Sequence, residues 1–311
     1  MIYVSQGHEL GIGLEVFLKS FLHLSQLEQR EFTLICNSSS LRQTIDSLSL
    51  PYKLTKNELQ LAKNITLKIK EAKKISPFQS TDSLVACLEV LKKKDILFTL
   101  PTSKDQLILG KKKLSGHTEF FRHYYKKDEI SMLFYSPNIK LFLITDHLAL
   151  KKVGDTITSS LIARKVSLVL KESKKYKLGN FTEVLFSGIN PHVGENGILG
   201  NEDSKIFPGI KKLKTTFPKI TFLGPISGDI LSLKLDPLKE QLLVYMFHDQ
   251  GLSFFKSQMG LLGINISLGL PNLRTSVDHG TAFDLYGKNQ ANFSGCLYVI
   301  KEMMKLKGKS N

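Results

Sequence analysis

The run His248-Asp249-Gln250-Gly251, with Lys256 shortly after it, brings an imidazole, a carboxylate, an amide and a point positive charge into one short stretch. Two more histidines keep similar company: His147 follows Asp146, and His192 lies within Gly188-Ile189-Asn190-Pro191-His192-Val193-Gly194-Glu195. Three imidazoles with an open fourth position make a catalytic divalent-metal site. No His-x-x-x-His or Cys-x-x-Cys spacing links them locally, and each alone also reads as a hydrogen-bonded surface residue. Asp229, after Gly224-Pro225, is a further candidate.

A second group suits anions. Ser115-Gly116-His117-Thr118-Glu119 offers donors for a phosphate or carboxylate, Lys256 and Arg274 add fixed charge, and Asn265 adds an amide. Arginine grips oxyanions through paired N–H bonds, whereas lysine acts as a point charge. Taken singly, each also reads as a surface charge or helix cap. A third group is Asp278-His279-Gly280-Thr281-Ala282-Phe283-Asp284, followed by Gly287-Lys288 and Asn292. Its His-Gly-Thr-Ala turn exposes backbone donors and a small surface on which an adenine ring could lie. The dinucleotide fingerprint Gly-x-Gly-x-x-Gly is absent; Gly7, Gly11 and Gly13 lack its spacing.

The elements that position these groups are apolar runs alternating with helical patterns. Residues 32–36, 96–100, 140–145, 183–187, 220–223 and 242–247 read as strands, and Met1-Ile2-Tyr3-Val4 opens the chain as another. Leu14, Phe17, Leu18, Phe21 and Leu22 have helical spacing, and Asp155 or Thr156 is predicted to cap a helix carrying Ile157, Leu161, Ile162, Val166 and Val169. Such alternation predicts an α/β fold with a mainly parallel sheet, here in two α/β/α lobes with a cleft between them. The histidines, Asp229 and Asp249 each follow a predicted strand. Ligands of open α/β sheets bind beyond the carboxyl ends of strands, so one site built from several loops is expected.

Composition narrows the classes. With 311 residues and 42% hydrophobic content the chain can bury a core, and 23% charged residues argue against disorder. No apolar stretch reaches the ~18–20 residues of a membrane span, and no secretory signal is visible. Cys36, Cys87 and Cys296 are odd in number, far apart and in apolar contexts, which fits a reducing cytoplasm. The net charge of +15 raises nucleic acid as a partner, but the lysines are dispersed and no stacking motif or finger accompanies them. A lysine-rich surface that attracts anionic substrates is expected instead, with no nucleic-acid or membrane partner.

Taken together, 115–121 (SGHTEFF), 145–150 (TDHLAL), 187–195 (SGINPHVGE), 247–256 (FHDQGLSFFK) and 263–284 (GINISLGLPNLRTSVDHGTAFD) resemble the 4-hydroxythreonine-4-phosphate dehydrogenases of pyridoxal phosphate biosynthesis. The stretches occur in that family's order, over roughly the last two thirds of the chain. The resemblance implies oxidation and decarboxylation of 4-phosphooxy-L-threonine to 3-amino-2-oxopropyl phosphate with NAD or NADP. It implies a divalent metal (zinc, magnesium or cobalt) on His147, His192 and His248. It implies phosphate-substrate contacts from His117, Thr118, Lys256, Asn265 and Arg274, and a proton acceptor among Asp249, Asp229 and Lys104. It further implies a homodimer sharing its metal site between subunits. The fold implied is similar to the isocitrate and isopropylmalate dehydrogenases, in which a loop like His279, Gly280, Thr281 and Ala282, with an asparagine like Asn292, holds the adenosine end of the cofactor. The domains expected are 1–114 with 280–311 on the cofactor side, and 115–279 for metal, substrate and dimerisation. Related readings are oxidation of another phosphorylated hydroxy acid, such as erythronate or threonate 4-phosphate, or a catalytically weak metal- or phosphate-binding homologue.

The first third departs from the family. Its usual Pro-Gly-(Asp/Glu)-Pro-Ala-Gly-Ile-Gly is Gln6-Gly7-His8-Glu9-Leu10-Gly11-Ile12-Gly13 here, and its Thr-Gly-Pro is Thr99-Leu100-Pro101, with Lys104 kept.

Overall fold

The computed structural model describes residues 1–309. In chain order the strands are β1 (Ile2–Ser5), β2 (Phe32–Cys36), β3 (Lys53–Leu54), β4 (Glu58–Ala62), β5 (Ile65–Glu71), β6 (Ile96–Thr99), β7 (Ile108–Leu109), β8 (Lys112–Lys113), β9 (Ser131–Tyr135), β10 (Lys140–Leu143), β11 (Glu183–Ser187), β12 (Thr221–Ile226), β13 (Gln241–Tyr245), β14 (Ile264–Leu268) and β15 (Leu273–Val277). They fall into two compact units, Met1–Ile130 with Leu270–Asn311, and Ser131–Gly269.

In the first unit the strand order is β15-β6-β1-β2-β5-β4-β3. From β15 to β5 the pairs are parallel, and β4 and β3 add an antiparallel edge. Every residue of β6 and β15 is buried. Successive strand residues point to opposite faces, so full burial means that both faces are covered. Helix Gln79–Val90 lies against β1, β2 and β6, and helix Ser294–Lys309 packs on β15 and on helix Gly13–Phe21.

The second unit has the order β12-β11-β13-β10-β9-β14. β12, β11, β13 and β10 are parallel, and β9 runs antiparallel to both β10 and β14. Helix Ser159–Lys175 packs against β9 and β14, and helix His248–Met259 against β10 and β13. The core under the latter joins Leu141, Leu143, Leu243, Tyr245, Leu252 and Phe255. Each such fully buried side chain contributes roughly 1.5–3 kcal/mol.

Three expectations change. The units divide at 130/131 and 269/270 rather than at 114/115 and 279/280. The cause is packing: Phe120 and Phe121 on helix His117–Tyr125 enter the first unit's core, and β15 pairs with β6. The cap of the long helix is Thr158, whose hydroxyl accepts from the Leu161 amide, while 153–156 forms a separate short turn. Finally, His248 opens a helix instead of lying on a loop. Gly251 permits this, since a Cβ there would sit 2.8 Å from Leu143 and 3.0 Å from Tyr245.

Candidate active site

In the second unit the histidines stand where parallel strands end. β10 leads to His147, and β13 passes through Met246 and Phe247 into the helix that His248 begins. The two imidazole centroids are 5.5 Å apart. His248 Nδ1 lies 2.7 Å from an oxygen of Asp249, a carboxylate 88% exposed and therefore able to meet a substrate. Lys256 lies in the last turn of the same helix.

His192 follows β11 in a stretch where His192, Val193, Gly194, Glu195 and Asn196 all have left-handed backbone, with φ from 44° to 77°. For L-residues this costs roughly 1–2 kcal/mol each, and a β-branched residue such as Val193 is a rare occupant. His192 and Asp229 line a cavity of ≈ 520 Å³ with Phe247 and Gln250. The Ser227 hydroxyl donates to Asp229 at 2.6 Å and holds its carboxyl below the usual range, with a smaller contribution from His192. Among the described residues, no three His, Cys, Asp or Glu side chains form a single ligand group. One chain thus brings His147 and His248 together and places His192 beside Asp229. The donors are neutral-capable imidazoles, a set suited to zinc or cobalt.

Gln250, within the His248-Asp249-Gln250-Gly251 run, has a structural role. Its carbonyl accepts from Ser187 Oγ (2.9 Å) and the Met246 amide (2.9 Å), and its Nε2 donates to Gly188 O (2.8 Å). It ties the end of β11 to the end of β13. Asn265, on β14, donates to Met132 Sδ at 3.8 Å and keeps its buried Oδ1 without a hydrogen-bond partner among the described residues.

The first unit carries the other anion-binding candidates. His117 and Thr118 are the first residues of helix His117–Tyr125, whose N-terminus favours negative charge. Arg274, on β15, is 4% exposed. Its Nε and Nη2 donate to Thr99 Oγ1 at 3.1 and 2.6 Å, and its guanidinium lies 5.7 Å from the Phe121 ring centre. Burial pushes it down to about 9, which leaves it charged at neutral pH. Burial and then the Arg274 charge hold His117 well below the usual imidazole range.

That shift has a sign. A folded-state value below the unfolded one, about 6.5 for histidine, gives stability that is complete above about 6.5 and lost as pH falls below it. The melting temperature is expected to decline on acidification from pH ~7 to ~5, and His117→Gln to flatten the decline. Parallel melting curves for the two proteins would refute this.

Lys104, exposed, begins a short turn after β6 that ends on the buried Gln106. The turn at 279–282 is fixed by the Ile12 amide donating to Thr281 O at 3.0 Å, with Ala282 left-handed and His279 Nε2 buried without a hydrogen-bond partner among the described residues. Asn292 Oδ1 accepts from the Ser294 amide at 2.9 Å. Two residues outside the expected set hold the segment before it. Glu15, 3% exposed, accepts from the Ala291 amide (2.9 Å) and from Lys19 Nζ (2.6 Å), which also donates to the Asn289 and Ala291 carbonyls. Their signal in the sequence was an acidic–basic pair four apart on the first helix.

The altered glycine turn is well supported. Gln6, fully buried, donates its amide N–H to Ser83 Oγ (2.8 Å), which the family's proline could not do. Its side chain bridges Gln79 and the Asn37 amide.

A sequence model of the family described as "Pyridoxal phosphate biosynthetic protein PdxA" matches residues 22–302, a span that begins after this turn. The chain is 33% identical to the 4-hydroxythreonine-4-phosphate dehydrogenase of Sulfurimonas denitrificans, over 98% of this chain and 97% of that one. It is 34% identical to the D-threonate 4-phosphate dehydrogenase of Cupriavidus necator, over 68% of this chain and 63% of that one. A crystal structure of a 4-hydroxythreonine-4-phosphate dehydrogenase from Burkholderia phymatum is similar, with a TM-score of 0.77, 26% identity, and 98% and 97% of the two chains covered. An isocitrate dehydrogenase from Methylococcus capsulatus shares the fold at a TM-score of 0.52 and 12% identity, with 99% and 86% covered. With a family match across most of its length and a near full-length relative a third identical, the chain belongs to the PdxA family of pyridoxal phosphate biosynthetic proteins.

Proposed function

We propose that the chain is a metal-dependent, NAD- or NADP-linked dehydrogenase that oxidises 4-phosphooxy-L-threonine, with loss of carbon dioxide, to 3-amino-2-oxopropyl phosphate in pyridoxal 5'-phosphate biosynthesis. The observation that carries it is the pair of imidazoles, His147 and His248, brought to 5.5 Å at neighbouring parallel strand ends. The near full-length relative named for this activity supports the choice of substrate.

His147, His192 and His248 hold a divalent ion (zinc, magnesium or cobalt), which supplies Lewis-acid polarisation at the reacting oxygen. The segment 279–282 with Asn292 holds the nicotinamide cofactor, which supplies the oxidant. His117, Thr118, Lys256, Asn265 and Arg274 grip the phosphorylated substrate, so binding energy remote from the reacting carbon orients it. Asp249, Asp229 or Lys104 takes the hydroxyl proton. The Ser227 hydrogen bond stabilises the ionised form of Asp229, and Asp249, 88% exposed, is open to a substrate.

The working form is a homodimer whose metal site is shared between subunits. Three buried free cysteines suit a reducing cytoplasm. Among the described residues, no helix is long and apolar enough to cross a membrane.

A second reading is oxidation of D-threonate 4-phosphate, favoured by the relative of that name. A panel of 4-phosphooxy-L-threonine, D-threonate 4-phosphate and erythronate 4-phosphate, assayed by NADH or NADPH formation with added Zn²⁺, Mg²⁺ or Co²⁺, decides. The expected result is a kcat/KM at least about tenfold higher for 4-phosphooxy-L-threonine, a margin of ~1.4 kcal/mol. A higher value for threonate 4-phosphate would transfer the assignment. No turnover with any of them would leave a metal- or phosphate-binding homologue.

A further inference from the structure

The left-handed stretch that carries His192, within the 3-10 turn Pro191–Gly197, is tied down where it leaves β11. One buried side chain accounts for this. Asp203 is 3% exposed. Its Oδ1 accepts from the Ile189 amide at 2.6 Å, and its Oδ2 accepts from the Asn190 amide at 3.2 Å and from Asn190 Nδ2 at 2.9 Å. Glu202 accepts from the same Nδ2 at 2.8 Å. Gly188 leaves room for its carboxylate, since a Cβ there would lie 2.8 Å from Asp203 Oδ1; at Gly194 a Cβ would meet Gly200 O at 2.2 Å.

The clamp seizes the backbone at Ile189 and Asn190, just before the turn that carries His192. Its base is rigid, because Asp203 sits in the turn Glu202–Lys205 that runs into helix Ile206–Thr216. That helix packs on Ser159–Lys175 and on β12. Asp203 does not belong to the three-histidine set and is spent on main-chain and amide donors. Strained backbone persists where its surroundings over-determine it, and such places are typically sites of function.

We propose that Asp203 is a positioning residue for the metal site: it fixes the left-handed turn so that His192 is presented as a ligand. This rests on the metal reading given above. Partners that orient a ligand typically change metal affinity 10–100-fold when removed.

The test is Co²⁺ titration of the full-length protein, followed by calorimetry and by the visible absorption of the bound ion, for the unaltered protein, Asp203→Asn and Asp203→Glu. In Asp203→Asn the amide replaces an acceptor by a donor facing donors, and affinity is expected to fall about 10–100-fold with a changed absorption band. Asp203→Glu keeps the carboxylate and is expected to recover part of the loss. An Asp203→Asn protein that is folded by circular dichroism and binds Co²⁺ with unchanged affinity and spectrum overturns the proposal. If Asp203→Asn does not fold, Asn190→Ala removes one arm of the clamp, and unchanged Co²⁺ affinity in it has the same meaning. If the unaltered protein binds no Co²⁺, Zn²⁺ or Mg²⁺, the metal reading itself falls, and this inference with it.

Discussion

Replacing His248 by alanine is expected to lower metal-dependent turnover by about a thousandfold or more, because Lewis-acid stabilisation of a developing alkoxide is worth several kcal/mol. The residue is well placed to matter. It begins a helix that Gly251 seats directly on β10 and β13, so its backbone is fixed by the core. Its ring faces His147, and Asp249 lies against its Nδ1, so that Nε2 is the nitrogen that would coordinate a metal. The same variant should lose bound metal, measurable by elemental analysis after dialysis. Full activity of His248→Ala, or of the unaltered protein in rigorously metal-free buffer, would sink the metal role.

The second large effect belongs to Arg274. In Arg274→Ala, kcat/KM for the phosphorylated substrate is expected to fall by about 10–150-fold, equivalent to the ~1.5–3 kcal/mol of a charge-assisted hydrogen bond. A surface lysine would be worth far less, because solvent screens it. Arg274 is buried, and Thr99 and Phe121 hold its plane. Lysine should restore only part of the loss, since an ammonium cannot present the flat fork. The discriminating comparison is with unphosphorylated 4-hydroxythreonine. If Arg274 grips the phosphate, the preference for the phosphorylated compound collapses in the variant. Equal losses on both compounds, or unchanged kcat and KM, would refute that role.

Much of the fold was legible because buried parallel strands announce themselves as apolar runs. β2 and β11 coincide with the residues expected, and β6, β10 and β13 differ by one or two at their ends. The antiparallel pieces were less visible. β4 and β5 do alternate, with lysines on the outer face of β5, but two-residue periodicity is weak evidence beside so many lysines. β9 is wholly buried and short, and nothing local distinguishes it from a helix segment. The places of His147, His192 and His248 beyond strand ends were readable in the sequence. The roles of Gln250 and Asp203 were not, because they consist of hydrogen bonds to backbone groups that only the folded chain brings near. The lobe boundary was misplaced for a related reason: membership of Phe120 and Phe121 in one core or the other depends on tertiary packing.

The first unit is built from both ends of the chain, and the second from one unbroken segment. On a ribosome this reverses the apparent order of events. Residues 131–269 emerge as a set and can close their own core while the first unit still lacks β15 and helix Ser294–Lys309. Until then β6 waits with an unpaired edge, and the Glu15–Lys19 pair has no Ala291 to hold. The unit synthesised first is therefore the last to be finished, and it depends on the late-emerging segment both for the strand beside β6 and for the backbone that its own first helix holds.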